Sequence, residues 1–261
     1  MRIILGHVGE IRAGKGTVGD LIDLWLKENG FTGARESFGG ILRETLGRLQ
    51  MLRQNGWTAN GGLGLCILRE ILSIWSIENT DSNLFLLAKT LFSDKGYGYG
   101  HVETNRHNLQ KLAQIMVEPD AFGPYALAHA VAQRAIKRPV QVIQLDGVRW
   151  LEDEETIRTF TGYRNEEHPD IFGIILYTTA DFYVRLKRAN ERKREGEAGL
   201  TEEQARRDEE QKNEIYIPQI GSRADWKIVN NYDTLEPLKE DVYKFCEMFI
   251  RTVLEPNDSY I

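Results

Sequence analysis

The chain has 261 residues, 41% of them hydrophobic and 28% charged, an ordinary balance for one α/β domain with insertions or for two small domains. Its 33 basic and 39 acidic side chains leave a formal charge of −6, so no global basic field draws in nucleic acid or an anionic membrane. No apolar run approaches the ~20 residues of a bilayer span, and two distant cysteines in apolar surroundings, Cys66 and Cys246, give neither a disulfide framework nor a metal-ligand spacing.

Residues 2–5 read as a short buried strand with no secretory leader before it, which leads us to expect a cytoplasmic protein. Next comes Gly9-Glu10-Ile11-Arg12-Ala13-Gly14-Lys15-Gly16-Thr17, followed by an amphipathic helical segment from Val18 to Leu26. Strand, glycine-rich loop and helix in that order are the context of a phosphate-binding loop. Glycines let successive N–H groups turn toward an anion, and the helix adds its positive end. Lys15 supplies a mobile charge for terminal phosphates. The predicted ligand is a nucleoside triphosphate, cradled by Gly9, Arg12, Ala13, Gly14, Lys15, Gly16 and Thr17, with Mg²⁺ as its counter-ion. The common motif places Ser or Thr directly after the lysine, as a metal ligand; here Gly16 intervenes and Thr17 carries the hydroxyl.

A short strand is expected at 34–38, then about a hundred residues before the next, far more than a crossover helix needs. An inserted helical subdomain is therefore predicted at 38–138, with helical spacing at 41–50, 65–77, 108–116 and 126–136 and a glycine- and tyrosine-rich loop at 95–100. Further apolar strands are predicted at 140–145, 171–177 and 226–229, giving a doubly wound parallel sheet with helices on both faces. Between the last two lies a long charged helical segment, 181–212. It reads either as a solvated hairpin held by i,i+4 ion pairs or as a lid whose arginines reach phosphates.

Several segments carry a family resemblance. The Gly-Lys-Gly-Thr ending of the loop resembles that of nucleoside monophosphate kinases. Ser37-Phe38-Gly39-Gly40-Ile41-Leu42-Arg43 is similar to the Ser-Thr-Gly-Asp-x-Leu-Arg segment of adenylate kinases, although Gly40 replaces its aspartate. Leu145-Asp146-Gly147-Val148-Arg149 resembles the Leu-Asp-Gly-Phe-Pro-Arg segment of the same family. Arg106 and Gln110, four apart on one helix face, resemble the Arg-x-x-x-Gln segment of phage deoxynucleoside monophosphate kinases. Arg185-Leu186-Lys187-Arg188 and Arg206-Arg207-Asp208-Glu209 resemble the entry and exit of the lid in monophosphate and dephospho-coenzyme A kinases. Ala224 to Asn230 is similar to their last strand, which passes near the adenine.

The resemblance implies a three-layer α/β/α P-loop NTPase fold, one kinase domain over 1–261 with an acceptor-binding insertion at 38–138 and a lid at 181–216. It implies ATP-dependent phosphoryl transfer to a nucleoside or deoxynucleoside monophosphate, by a monomer or homodimer. Lys15, Arg149, Arg185, Arg188 and Arg206 would stabilise the transferred group. Arg43, Arg106, Gln110 and Asp146 would bind substrate, and Thr17 and Asp146 would serve the metal. Asp146 ends a buried apolar strand, a costly place for a carboxylate unless donors or a cation await it. Two alternatives stand beside this reading. One is a kinase for another small acceptor such as dephospho-coenzyme A, with Asp146 as general base. The other is a nucleotide-binding module without phosphotransfer. The five histidines show no metal-ligand spacing, and His7 is expected to be structural.

Overall fold

The computed structural model describes residues 1–54, 62–92, 105–159, 168–191, 199–211 and 214–256; the loop expected at 95–100 lies outside them. The chain divides into a sheet unit, Met1–Arg35 with Arg138–Ile261, and a helical unit, Glu36–Lys137.

In the sheet unit, β1 (Arg2–Gly9) is central. The five strands run in the order β2 (Gly33–Ser37), β3 (Val142–Asp146), β1, β4 (Ile171–Thr179), β5 (Trp226–Val229), and β1–β3, β1–β4 and β4–β5 pair in parallel. Alternation along β1 assigns its two faces. Ile3 and Leu5 pack with α1 (Lys15–Glu28), α11 (Leu235–Phe245) and the π-helical turn Cys246–Arg251 in one buried cluster that includes Trp25 and Phe245. On the opposite face lie α7 (Leu151–Thr159) and α10 (Ile217–Ser222), both against β1. Helices on both faces of a parallel sheet make three layers.

β1 and β4 run further than the apolar pattern predicts, to Gly9 and Thr179 rather than 5 and 177. Gly6 and His7 interrupt the hydrophobic run without interrupting the strand. Gly6 sits where Ile157 of α7 and Ile175 approach so closely that a Cβ would stand 2.6 Å and 2.9 Å from them. His7 is fully buried and bonded to Gln144 of β3 at 2.8 Å. The charged segment is likewise two helices, α8 (Phe182–Glu191) and α9 (Glu202–Glu209), and residues 192–198 and 212–213 lie outside the described set.

The helical unit holds α2 (Phe38–Gln54), α3 (Gly62–Ile74), α4 (Asp81–Phe92), α5 (Arg106–Met116) and α6 (Ala126–Ile136). The pattern missed α4. It also carried α3 to residue 77, but the chain turns left-handed at Ser76 (φ 53), and Ile77 donates back to Leu72 O at 2.9 Å to close the helix. The buried core includes Leu46, Leu49, Ile71, Leu87, Leu112 and Val131. One of its buried polar residues, Thr45, accepts from Trp75 Nε1 at 2.8 Å and donates to Ile41 O at 2.9 Å, so its hydroxyl is not stranded. Cys66, expected in apolar surroundings, is exposed on α3; Cys246 is buried. Among the described residues no helix is long and apolar enough to cross a membrane.

Candidate functional site

The loop between β1 and α1 curls because two of its residues are left-handed, Arg12 (φ 67) and Gly14 (φ 98). An arginine in that conformation carries steric strain that the surroundings must hold. Ala13 N donates to Glu10 O at 3.2 Å across the curl, and Asn230 Nδ2 donates to Ala13 O at 2.8 Å from outside it. Helix α1 then starts at Lys15 with no side-chain cap on its first N–H groups and no acidic residue in its first turn. Uncapped N–H groups and a positive helix end together attract an anion.

Lys15 bends back over the loop and donates to Gly9 O and, at 3.1 Å, to Glu10 O. Its pKa is lowered to about 7, first by burial and then by Arg149 and Arg185, while Glu10 and Asp146 pull the other way. An ammonium so poorly compensated gains strongly from a multivalent anion.

Glu10 fixes the loop to β4. Its carboxylate accepts from Tyr177 OH at 2.6 Å, Thr179 Oγ1 at 2.8 Å and Ala180 N at 3.3 Å. On the α1 face, His7 sits in register with Asp146. Gln144 Nε2 donates to Asp23 Oδ1 at 2.5 Å, so its Oε1 faces His7 Nε2, which must be the protonated ring nitrogen. Burial lowers the His7 pKa to about 4 despite Asp146, so the ring is neutral at pH 7.

The structure places the expected residues as follows. Asp146 ends β3, half-buried, within electrostatic reach of Lys15 and His7. Gly147 (φ 95) turns the chain away after it. Thr17 is half-buried in the first turn of α1, and Gly16 beside it is exposed. Arg149 pairs with the buried Glu214. Arg185 is nearly buried and ties three segments together: Nε to Ala180 O at 2.9 Å, Nη1 to Ile11 O at 3.4 Å, and an ion pair with Glu209 of α9. Arg188 donates to Asn230 Oδ1 at 3.2 Å and Tyr232 O at 2.8 Å. Arg206 is exposed, paired with Glu202 one turn earlier and stacked over the Phe182 ring at 4.3 Å. The contacts from α9 to this region come instead from Glu209 and from Asp208, which meets Arg12 at 3.4 Å. Beside α8, a cavity of about 510 Å³ is lined by Tyr183, Arg188, Asn231 and Tyr232 among others.

Within the helical unit, Ser37 caps α2 by accepting from Gly40 N at 2.9 Å, and Arg43 reaches back to the same hydroxyl at 3.4 Å. The guanidinium lies over Gly39, where a Cβ would stand 3.2 Å from Nη1. Arg106 opens α5, capped by Asn105, and Gln110 follows one turn on; the Arg106 side chain lies outside the described residues.

Reasoning from sequence missed Glu10, Asn230 and the two α9 carboxylates. Asn230 carried a readable signal, since a polar side chain directly follows the strand 226–229, much as Asp146 ends its own. Glu10 carried none, because its partners lie about 170 residues away.

No family model matches the chain, and no curated protein does. Among solved structures, the crystal structure of TT1252 from Thermus thermophilus aligns over 95% of this chain and 98% of its own, at 17% identity and a TM-score of 0.43.

Proposed function

We propose that this chain is a P-loop phosphotransferase that moves the γ-phosphoryl group of ATP to a nucleoside or deoxynucleoside monophosphate, leaving ADP and the diphosphate. The observation that carries the reading is Lys15: a half-buried amine, its pKa lowered to about 7, folded back onto two carbonyls of the loop that precedes an uncapped helix. That arrangement is suited to a polyphosphate, which supplies the negative charge Lys15 lacks.

In this reading the loop N–H groups and Lys15 hold the β- and γ-phosphates. Arg149 and Arg185, both within electrostatic range of Lys15, neutralise charge that spreads over the transferred group. Arg188 borders the 510 Å³ cavity, which offers Tyr183 and Tyr232 to a nucleobase. Arg206, which the resemblance also assigns to the transferred group, is paired with Glu202 and stacked over Phe182 on the surface of α9. Arg43, Arg106 and Gln110 are the acceptor-binding groups carried by the helical unit. The acceptor phosphate is itself the nucleophile, so the protein contributes positioning and charge neutralisation rather than a strong base.

Mg²⁺ fits the donors present. Thr17 offers a hydroxyl and Asp146 a carboxylate, both hard oxygen donors. Among the described residues no cluster of three His, Cys, Asp or Glu side chains suits a metal, so phosphate oxygens and water would complete the shell. The ion would supply charge neutralisation of the phosphates.

A second reading, transfer to a hydroxyl of an acceptor such as dephospho-coenzyme A, draws on the carboxylate of Asp146 beside Lys15 as a general base. A coupled ADP-release assay over nucleoside and deoxynucleoside monophosphates plus dephospho-coenzyme A separates the two. Tight ATP binding with silence on every acceptor would leave only a non-catalytic nucleotide-binding module.

A further inference from the structure

We infer that Asn230 is the residue that positions the 9–17 loop and couples it to Arg188 on α8. The inference rests on the phosphate-binding reading of the loop and adds to it a residue that reading does not name.

Asn230 follows β5 directly and is 5% exposed. Its own N–H donates to Thr179 O at 2.7 Å, which fixes the backbone beneath its side chain to the sheet. Both ends of its amide are committed: Nδ2 to Ala13 O at 2.8 Å and Oδ1 to Arg188 at 3.2 Å. Those partners define the amide's orientation, since a carbonyl needs a donor and a guanidinium needs an acceptor.

A trans peptide points its C=O and N–H in opposite directions, and the described residues contain no cis peptide. Holding the Ala13 carbonyl against Asn230 therefore turns the Gly14 N–H away from it. A flip of that peptide would exchange the two, presenting an oxygen where an anion needs a donor. Ala13 lies between two left-handed residues, Arg12 and Gly14, so local preference alone does not hold this conformation. The fit is close: a Cβ on Gly14 would collide with Asn230 Nδ2.

The next three residues bind the root of α8. Asn231 Oδ1 accepts from Asp181 N at 2.8 Å, Tyr232 O accepts from Arg188 at 2.8 Å, and Asp233 pairs with Lys187 at 3.1 Å. A shift of the Ala13 peptide is thus passed through one amide to Arg188, and from there to the rim of the 510 Å³ cavity. Asn230 touches no reacting atom in this scheme; it acts through the loop.

The test uses the full chain, three single variants and one double variant. Asn230→Asp keeps an acceptor for Arg188 and sets an oxygen against the Ala13 carbonyl, whereas Asn230→Ala removes both contacts. Asn230→Asp is expected to raise the KM for ATP about tenfold or more with a smaller change in kcat. Both substitutions should speed deuterium exchange at the amides of residues 13–17. Asn230→Ala and Arg188→Ala should combine non-additively. A KM within about twofold of wild type, with unchanged loop exchange, overturns the positioning role. Strict additivity overturns the coupling. Uniformly faster exchange along β5, with kcat and KM falling together, reduces Asn230 to a structural residue and also overturns the inference. If the wild-type chain turns over no acceptor, the phosphotransfer reading fails by itself, and Asn230 is then decided by the exchange of residues 13–17.

Discussion

Tyr177 donates its hydroxyl to Glu10 Oε1 at 2.6 Å, joining the side of the central sheet to the second residue of the loop. The tyrosine is 7% exposed, its ring lies under Gly221 of α10, and its pKa is pushed up to about 12, first by burial and then by Glu10. Tyr177→Phe keeps the ring packing and removes one donor from a carboxylate in a partly buried setting. We expect a loss of about 1–2 kcal/mol, read in calorimetry as a melting midpoint lower by roughly 2–8 °C. An unchanged midpoint would mean that water serves Glu10 equally well.

Lys15 gives opposite pH dependences to the stability of the free protein and to its affinity for ATP. Its pKa is lowered from 10.5 to about 7, so between those values the unfolded chain holds more protons than the folded one. The free protein therefore gains stability from this group as pH rises through that window. A bound polyphosphate favours the ammonium and raises the pKa again. ATP binding above pH ~7 must then take up a proton, and affinity falls by up to about tenfold per pH unit. Calorimetric titration at pH 8 in two buffers of different ionisation enthalpy should report close to one proton taken up, and Lys15→Ala should report none. A wild-type value of zero would remove Lys15 from the phosphate site.

How much of this was legible beforehand depends on how local each interaction is. The loop was readable because its strand, glycines, lysine and helix are contiguous. Asp146 was readable because a carboxylate ending an apolar strand is costly in itself. The end of β1 is misread because Gly6 and His7 look like breaks until Ile157 and Gln144 are known to cover them. Choosing among the arginines of the charged segment needed three dimensions. Even so, Glu202 four residues before Arg206 was visible as an i,i+4 partner and argued for a surface role. Asp208 and Glu209 could not be assigned, because Arg12 and Arg185 reach them from segments far away in the chain.

Those two carboxylates sit in the last turn of α9, where the helix dipole disfavours negative charge. Their partners offset this, and a polyphosphate on the loop would compete for the same arginines. Asp208→Asn combined with Glu209→Gln should tighten ATP binding by roughly fivefold, about 1 kcal/mol for partly exposed pairs. The free protein should lose a similar amount of stability. Equilibrium binding and thermal unfolding of the same preparation test both halves, and weaker ATP binding would show that the carboxylates support the arginines instead of competing for them.

Gly14 and Gly16 separate a glycine that the backbone requires from one that it does not. Gly14 is left-handed at φ 98, and a Cβ there would strike the Asn230 side chain. Gly14→Ala therefore combines a conformational penalty of roughly 1–2 kcal/mol with displacement of the donor to Ala13 O. Gly16 lies in the first turn of α1, and a Cβ there would meet nothing within 4 Å. Alanine at that position also suits a helix better than glycine, by up to about 1 kcal/mol. We expect Gly16→Ala to melt no lower than wild type and to keep an ATP affinity within a few-fold of it, because the loop offers its N–H groups unchanged. Gly14→Ala should lose most ATP binding and melt lower. Equal damage from both substitutions would mean that phosphate passes close over Gly16, and that the room beside it belongs to the ligand.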